Sequence, residues 1–236
     1  MLTEKIIAHR GVYDNIKIPE NTLSAFKEAL KYNLPIELDI HLTKDNKLVV
    51  FHDYTLERMA NQELTLEQLQ IKELENIILL NCKEKIPTLK EVLNLVNGKV
   101  PLLIEVKCKT GEKTIIKTLL DELNNYNGKV YIQSFNPKLV KILKRRKTGY
   151  KIGLLINKNT NKKIWKIINY PYLCIKYIKP DFISIHKSLI QKKYIQKYTN
   201  KIPILLWTIN SNEELTKLSS KYICICDNIF HINPTS

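Results

Sequence analysis

The chain has 236 residues, 44% hydrophobic and 26% charged, which excludes a disordered polymer and supplies enough apolar surface for a full core. No apolar run approaches the length of a membrane span, so an integral helical membrane protein is also excluded. The formal net charge of +15 raises nucleic acid, anionic lipid and phosphate ligands as partners, but the lysines are spread along the chain with no stripe of aromatics between them, so most of the charge reads as composition bias.

Short apolar runs alternate with amphipathic stretches from end to end. Residues 5–8 predict a strand that delivers His9, Arg10 and Gly11 at its end. Residues 22–31 place Leu23, Phe26 and Leu30 on one helical face, with Asn21 as the expected N-cap. Residues 36–40 form the second strand and carry Glu37 and Asp39. Positions i and i+2 of a strand face the same side with Cα atoms about 6.5 Å apart, so both carboxylates can reach one cation. Residues 48–51 read as an extra strand leading into His52 and Asp53, followed by a short Thr-capped helix at 65–69 and a crossover helix at 87–93. Further strands fall at 102–106, 130–133, 151–155, 182–185, 204–207 and 223–226. Helices at 113–123, 138–144, 189–198 and 213–218 separate them, while Trp165, Tyr170, Tyr172 and Tyr177 break the periodicity of 156–180. The basic run 141–147 is expected on the solvated end of a helix, where cations suit the dipole.

Eight strand–helix repeats predict parallel strands joined by right-handed crossovers. The expected fold is a single-domain (β/α)8 TIM barrel over residues 1–236, with a small extra segment between strands 2 and 3. Five scattered cysteines without a CxxC pair predict reduced thiols rather than a disulfide frame or a zinc site. The N-terminus has no secretory apolar stretch, and a cytoplasmic location is expected.

In such a barrel the C-terminal ends of the strands carry the active site. His9 and Arg10, then Glu37 and Asp39, Glu105 and Lys107, Gln133, His186 and Trp207 all fall there. Glu37, Asp39 and Glu105 offer only oxygen, which suits Mg2+ or Ca2+ rather than zinc, and three bare carboxylates at one rim repel unless a cation intervenes. His9 and His52 are the candidate acid and base, because imidazole titrates near neutrality. Arg10 is expected to clamp a phosphate with its planar fork, Lys107 to add a second positive charge, and Trp207 to form an apolar wall where it is not simply barrel packing. Gln133 joins these as a substrate-binding candidate. His41 and His231 read as structural; Glu20 reads as a partner of Arg10 or of a ligand, or as a helix first-turn acid.

These residues together resemble the glycerophosphodiester phosphodiesterase family. The matching pieces are 8–11 (AHRG), 19–22 (PENT), 37–45 (ELDIHLTKD), 50–53 (VFHD), 56–58 (LER), 87–89 (PTL), 104–107 (IEVK), 133–135 (QSF) and 207–210 (WTIN), in family order over nearly the whole chain. The resemblance implies a TIM barrel, a divalent cation on Glu37, Asp39 and Glu105, acid–base catalysis by His9 and His52, phosphate contact by Arg10, and hydrolysis to glycerol 3-phosphate and an alcohol. The segment 59–63 is shorter than the family's, which predicts a more open cleft, and Cys226 stands where the family usually has threonine, with Asp227 expected only to hold the last strand end. Rival readings are a lysophospholipase D acting on lipid-tailed diesters with peripheral membrane contact, and a nucleic-acid-binding module, for which no recognised motif is present.

Overall fold

The computed structural model describes residues 4–80, 82–157 and 171–227. In chain order the elements are β1 (Ile6–Ala8), α1 (Leu23–Lys31), β2 (Ile36–Leu42), β3 (Leu48–Val50), α2 (Glu57–Ala60), α3 (Ile71–Leu74), α4 (Leu89–Val96), β4 (Leu102–Val106) and α5 (Glu112–Leu123). They continue with β5 (Val130–Ser134), α6 (Pro137–Arg146), β6 (Lys151–Ile156), α7 (Pro171–Ile178), β7 (Phe182–His186), α8 (Lys193–Gln196), β8 (Ile204–Ile209), α9 (Asn212–Ser219) and β9 (Ile223–Cys226). Strands β1, β2 and β4 to β9 are parallel and run in order around a closed ring, the seam being the pairing of β1 with both β9 and β2. The expected TIM barrel is present. Strand β3 lies outside the ring, antiparallel to the C-terminal half of β2, where it pairs Val50 with Ile40.

Alternation along each strand divides the core in two. Leu102, Ile104 and Val106 of β4 face the helices, in one apolar layer with residues such as Phe26, Val92 and Leu119. Leu103 of β4 faces the barrel axis with Ile7, Tyr131, Phe182, Leu205, Ile223 and Ile225. Gly153 is part of this interior: the Phe182 ring occupies the space a side chain would need, and a Cβ there would lie 2.1 Å from Phe182 Cε2. The inserted segment between β2 and β4 has its own apolar cluster of Val49, Phe51, Leu56, Met59, Leu66, Leu74, Ile77, Leu79 and Ile86, so it is packed structure rather than a free loop.

Helix starts follow their capping chemistry. Thr88 and Glu91 form a reciprocal capping box on α4, and Asn136 caps α6 ahead of Pro137. Three local expectations are corrected. The N-cap of α1 is Thr22, whose hydroxyl accepts from Ala25 N–H; Asn21 sits one residue earlier in a left-handed conformation and is used elsewhere. Thr65 gives no side-chain cap, and only a 3-10 turn, Leu66–Gln68, follows it. The predicted helix 189–198 is broken into a 3-10 turn, Lys187–Leu189, and the four-residue α8. The basic run 141–147 does close α6, with Lys147 as its left-handed C-cap. Within 156–180 the described residues include the end of β6 and α7; Trp165 and Tyr170, like His231, lie outside the described residues. Among the described residues no helix is long and apolar enough to cross a membrane.

Candidate active site

Barrel register sets the first layer of the site. Asp39 of β2 is paired with Glu105 of β4, and Glu105 with Gln133 of β5, so three polar side chains stand side by side on adjacent strands. Glu37 lies two residues below Asp39. Glu37, Asp39 and Glu105 are at most 6% exposed, and each offers a carboxylate oxygen within 4.8 Å of the other two. Lys107 Nζ ion-pairs with Asp39 Oδ1 at 2.9 Å and Glu105 Oε1 at 2.6 Å. Arg10 approaches from β1, its backbone N–H donating to Glu37 Oε2 at 3.2 Å and its Nε lying 3.5 Å from Asp39 Oδ2. The turn that presents Arg10 is tight: Arg10 and Gly11 both have positive φ, and a Cβ on Gly11 would meet Ala25 of α1 at 2.8–2.9 Å.

The acids do not behave as three ordinary carboxylates. Burial, then the charges of Asp39 and Glu105, hold the Glu37 carboxyl well above its usual range. Burial pushes Glu105 up to about 7 against the pull of Lys107. For Asp39 the same burial is outweighed by Lys107, His52 and Arg10 and by a hydrogen bond from Asn21 Nδ2 at 2.9 Å, and its carboxyl lies well below the ordinary value. Two of the three acids therefore hold their protons more firmly than an ordinary carboxylate, because Lys107 and Arg10 do not offset burial and the repulsion between the acids. An all-oxygen, buried donor set of this kind fits a hard divalent cation.

Both histidines have one ring nitrogen tied down. His9 Nδ1 contacts Asp227 Oδ1 at 2.5 Å, and Tyr13 donates its hydroxyl to the same oxygen at 2.9 Å. His52 Nδ1 contacts Asp53 Oδ1 at 2.6 Å. With a carboxylate on each Nδ1, the proton sits there and each Nε2 is left for the cavity; His9 Nε2 lies 3.9 Å from Glu37 Oε2. Burial lowers the His52 pKa below the usual imidazole value, although Asp53 and Asp39 oppose the shift.

His9, Arg10, Glu37, His52, Glu105, Lys107, Gln133 and Trp207 line one cavity of about 80 Å³, with Phe135, Leu155, Thr208 and Ile225. Asp39 stands just behind this lining, held by Lys107 and Asn21. Gln133 Oε1 and Trp207 Nε1 are buried with no hydrogen-bond partner among the described residues. The Trp207 ring is edge-on to Phe135 and to His186, whose Nδ1 is bonded to Ser188 Oγ at 2.8 Å. A larger depression of about 530 Å³ lies by the starts of α1, α3 and α4, but among the described residues no comparable set of reactive groups converges on it.

Four contacts were not expected from sequence. Asp227 does more than end β9, because it holds His9. Asp53 does the same for His52, and Asn21 serves Asp39. His41 is fully buried and does not line the cavity: Nδ1 contacts Glu67 Oε1 at 3.2 Å and Nε2 contacts the His52 carbonyl at 3.3 Å. Glu20 is bonded to Arg10 NH1 at 2.7 Å, the first of its expected uses.

Fold and cavity together define a TIM-barrel enzyme whose reactive groups gather at the C-terminal rim. The chain belongs to the glycerophosphoryl diester phosphodiesterase family, whose sequence model matches residues 9–225, and it is a phosphoric diester hydrolase. A glycerophosphodiester phosphodiesterase of Caldanaerobacter subterraneus subsp. tengcongensis is 32% identical over 90% of this chain and 88% of its own length. The crystal structure of the Thermotoga maritima glycerophosphodiester phosphodiesterase has a TM-score of 0.76 at 25% identity, covering 97% of this chain and 96% of that one. An Oleispira antarctica phosphodiesterase, solved with the product sn-glycerol-3-phosphate, has a TM-score of 0.80 at 21% identity, covering 95% and 93% of the two chains.

Proposed function

We propose that this enzyme hydrolyses glycerophosphodiesters to glycerol 3-phosphate and an alcohol, with His9 and His52 as the acid–base pair and Mg2+ or Ca2+ held by Glu37, Asp39 and Glu105. The observation that carries the reading is the pair of imidazoles, each anchored through Nδ1 to a carboxylate, lining the same small cavity as two of the three acids, Arg10 and Lys107. When bound, a divalent cation supplies charge neutralisation at a phosphate oxygen. Arg10 and Lys107 hold the remaining phosphate charge, and Arg10 has an Nε without a hydrogen-bond partner among the described residues. His52, kept neutral by burial, accepts a proton at Nε2, and one imidazole deprotonates the nucleophile while the other protonates the leaving alcohol. The nucleophile is water or the glycerol 2-hydroxyl; the second route passes through a cyclic phosphate. Gln133 and Trp207 contact the organic part of the substrate.

The test is release of glycerol 3-phosphate from a panel of diesters, including glycerophosphocholine and its acylated form, with Mg2+, Ca2+ or Mn2+ added in turn. His9→Ala and His52→Ala should abolish turnover while circular dichroism shows the fold intact, and EDTA should inactivate the wild type. Near-normal turnover by either variant removes the acid–base assignment. Full activity in chelator removes the cation.

A further inference from the structure

Helix α2 belongs to the inserted segment, yet Arg58 on it reaches back to both sides of the cavity. Its Nε donates to Asp53 Oδ2 at 2.6 Å. Its two terminal nitrogens fork onto Glu20, NH2 to Oε1 at 2.7 Å and NH1 to Oε2 at 3.1 Å. Asp53 spends its other oxygen on His52 Nδ1, and Glu20 also receives Arg10 NH1. A continuous chain results, from His52 through Asp53, Arg58 and Glu20 to Arg10, with no link longer than 3.1 Å.

We propose that Arg58 is a positioning residue: its guanidinium fixes the His52 imidazole and the Arg10 guanidinium relative to each other, so that the insert completes the active site. The proposal rests on the reading that His52 and Arg10 act on the diester. An exposed ion pair contributes little to stability, and the Arg58 side chain is 45% exposed. What distinguishes this arginine is that all three of its nitrogen positions are committed, in one plane, to two carboxylates that each orient a different cavity group. Glu20 is 4% exposed, and Arg58, Arg10 and a hydrogen bond from Asn15 hold its carboxyl below the ordinary value against that burial. A planar fork transmits orientation as well as charge, and an ammonium at the same place cannot serve Nε and both terminal positions at once. Misplacing a reacting group by about 1 Å costs on the order of 100-fold in rate.

The test compares Arg58→Ala and Arg58→Lys with the control Glu57→Gln, which changes an exposed residue on the same helix. Both Arg58 variants should lose about 10- to 100-fold in kcat with a smaller change in KM. Guanidinium ion, but not an equal ionic strength of NaCl, should restore part of the rate to Arg58→Ala and none to Arg58→Lys, whose side chain fills the space. The proton on His52 Nδ1, followed by NMR in chelator, should be sharp in wild type and in Glu57→Gln and exchange-broadened in both Arg58 variants. Since Arg58→Lys keeps the aliphatic stem, it carries the result if Arg58→Ala melts at the assay temperature. A kcat within about twofold of wild type, or an unchanged His52 signal, overturns the proposal. The NMR signal reports the tie whether or not His52 is the acid–base group, so a failed tie and a failed catalytic assignment give different results.

Discussion

Lys107→Met is the sharpest probe of the acid cluster. Three carboxylates, Glu37, Asp39 and Glu105, face two cations, Lys107 and Arg10, in a region where none of the acids is more than 6% exposed. Methionine keeps the packing of the stem, which is 10% exposed, and removes the charge that sits 2.9 Å from Asp39 and 2.6 Å from Glu105. Breaking a buried pair by removing one partner costs about 3–5 kcal/mol, because the other charges stay out of water without compensation. In a chain of this length each kcal/mol moves Tm by about 2–4 °C, so the apoprotein should melt lower by about 6–20 °C. The loss depends on pH. Glu105 in the fold already titrates near 7, raised by burial, and without Lys107 it rises further. A folded-state pKa above the unfolded value means stability that is present below the unfolded pKa and lost as pH rises, so the deficit should be larger at about pH 8.5 than at about pH 6. A bound cation stabilises by mass action and replaces the missing charge, so saturating Mg2+ should raise Tm more in the variant than in wild type. The assay is thermal melting at both pH values, with EDTA and with Mg2+. A variant in EDTA that melts with wild type at both would refute the view that these acids share one low-dielectric, charge-balanced site.

Asp227→Asn replaces the anion that fixes His9 Nδ1–H and leaves Tyr13 with a weaker acceptor. A charge-assisted hydrogen bond is worth about 1.5–3 kcal/mol, so kcat should fall by roughly 10- to 150-fold with the fold intact; unchanged steady-state kinetics would deny Asp227 its role. Glu122 Oε2 is buried without a partner among the described residues, and burial raises its carboxyl to about 7 against Lys47 and Lys90. The folded state therefore holds that proton between the ordinary carboxylate value and about 7, and stability declines with pH across that window. Glu122→Gln should be more stable than wild type by about 1 kcal/mol above pH 7, after discounting for water at a half-buried group, and should show no gain in acid; urea melts at the two extremes decide it. Gly153→Ala pushes a methyl into the Phe182 ring inside the barrel and should cost about 1–3 kcal/mol in chemical denaturation.

The strands were legible because each is a short apolar run with turn signals at both ends; those at 102–106 and 223–226 match β4 and β9 residue for residue. The acids were legible because a period of two puts Glu37 and Asp39 on one face whatever surrounds them. What local pattern does not carry is partner choice. His9 and Asp227 are 218 positions apart, and they meet because β1 pairs with β9 and His9 N–H bonds to the Cys226 carbonyl. Ring closure, once inferred, places the residue after the last strand beside the residue after the first, and that signal could have found Asp227. Asn21 reads as a cap by type, but its left-handed backbone turns the side chain toward Asp39 and gives the cap to Thr22. The break within 187–196 has no marker in the apolar spacing, since helix and turn share it over so few residues.

The seam between β1 and β2 is thin, a single register pair of Ala8 with Ile36, while β1 meets β9 along its full length. The first imidazole is therefore oriented by the last strand to join the ring. A chain wound through β8 alone would have every acid of the proposed ion site and still lack the carboxylate that holds His9 Nδ1. Such a half-made molecule should be hydrolytically silent, which makes turnover a readout of completed assembly.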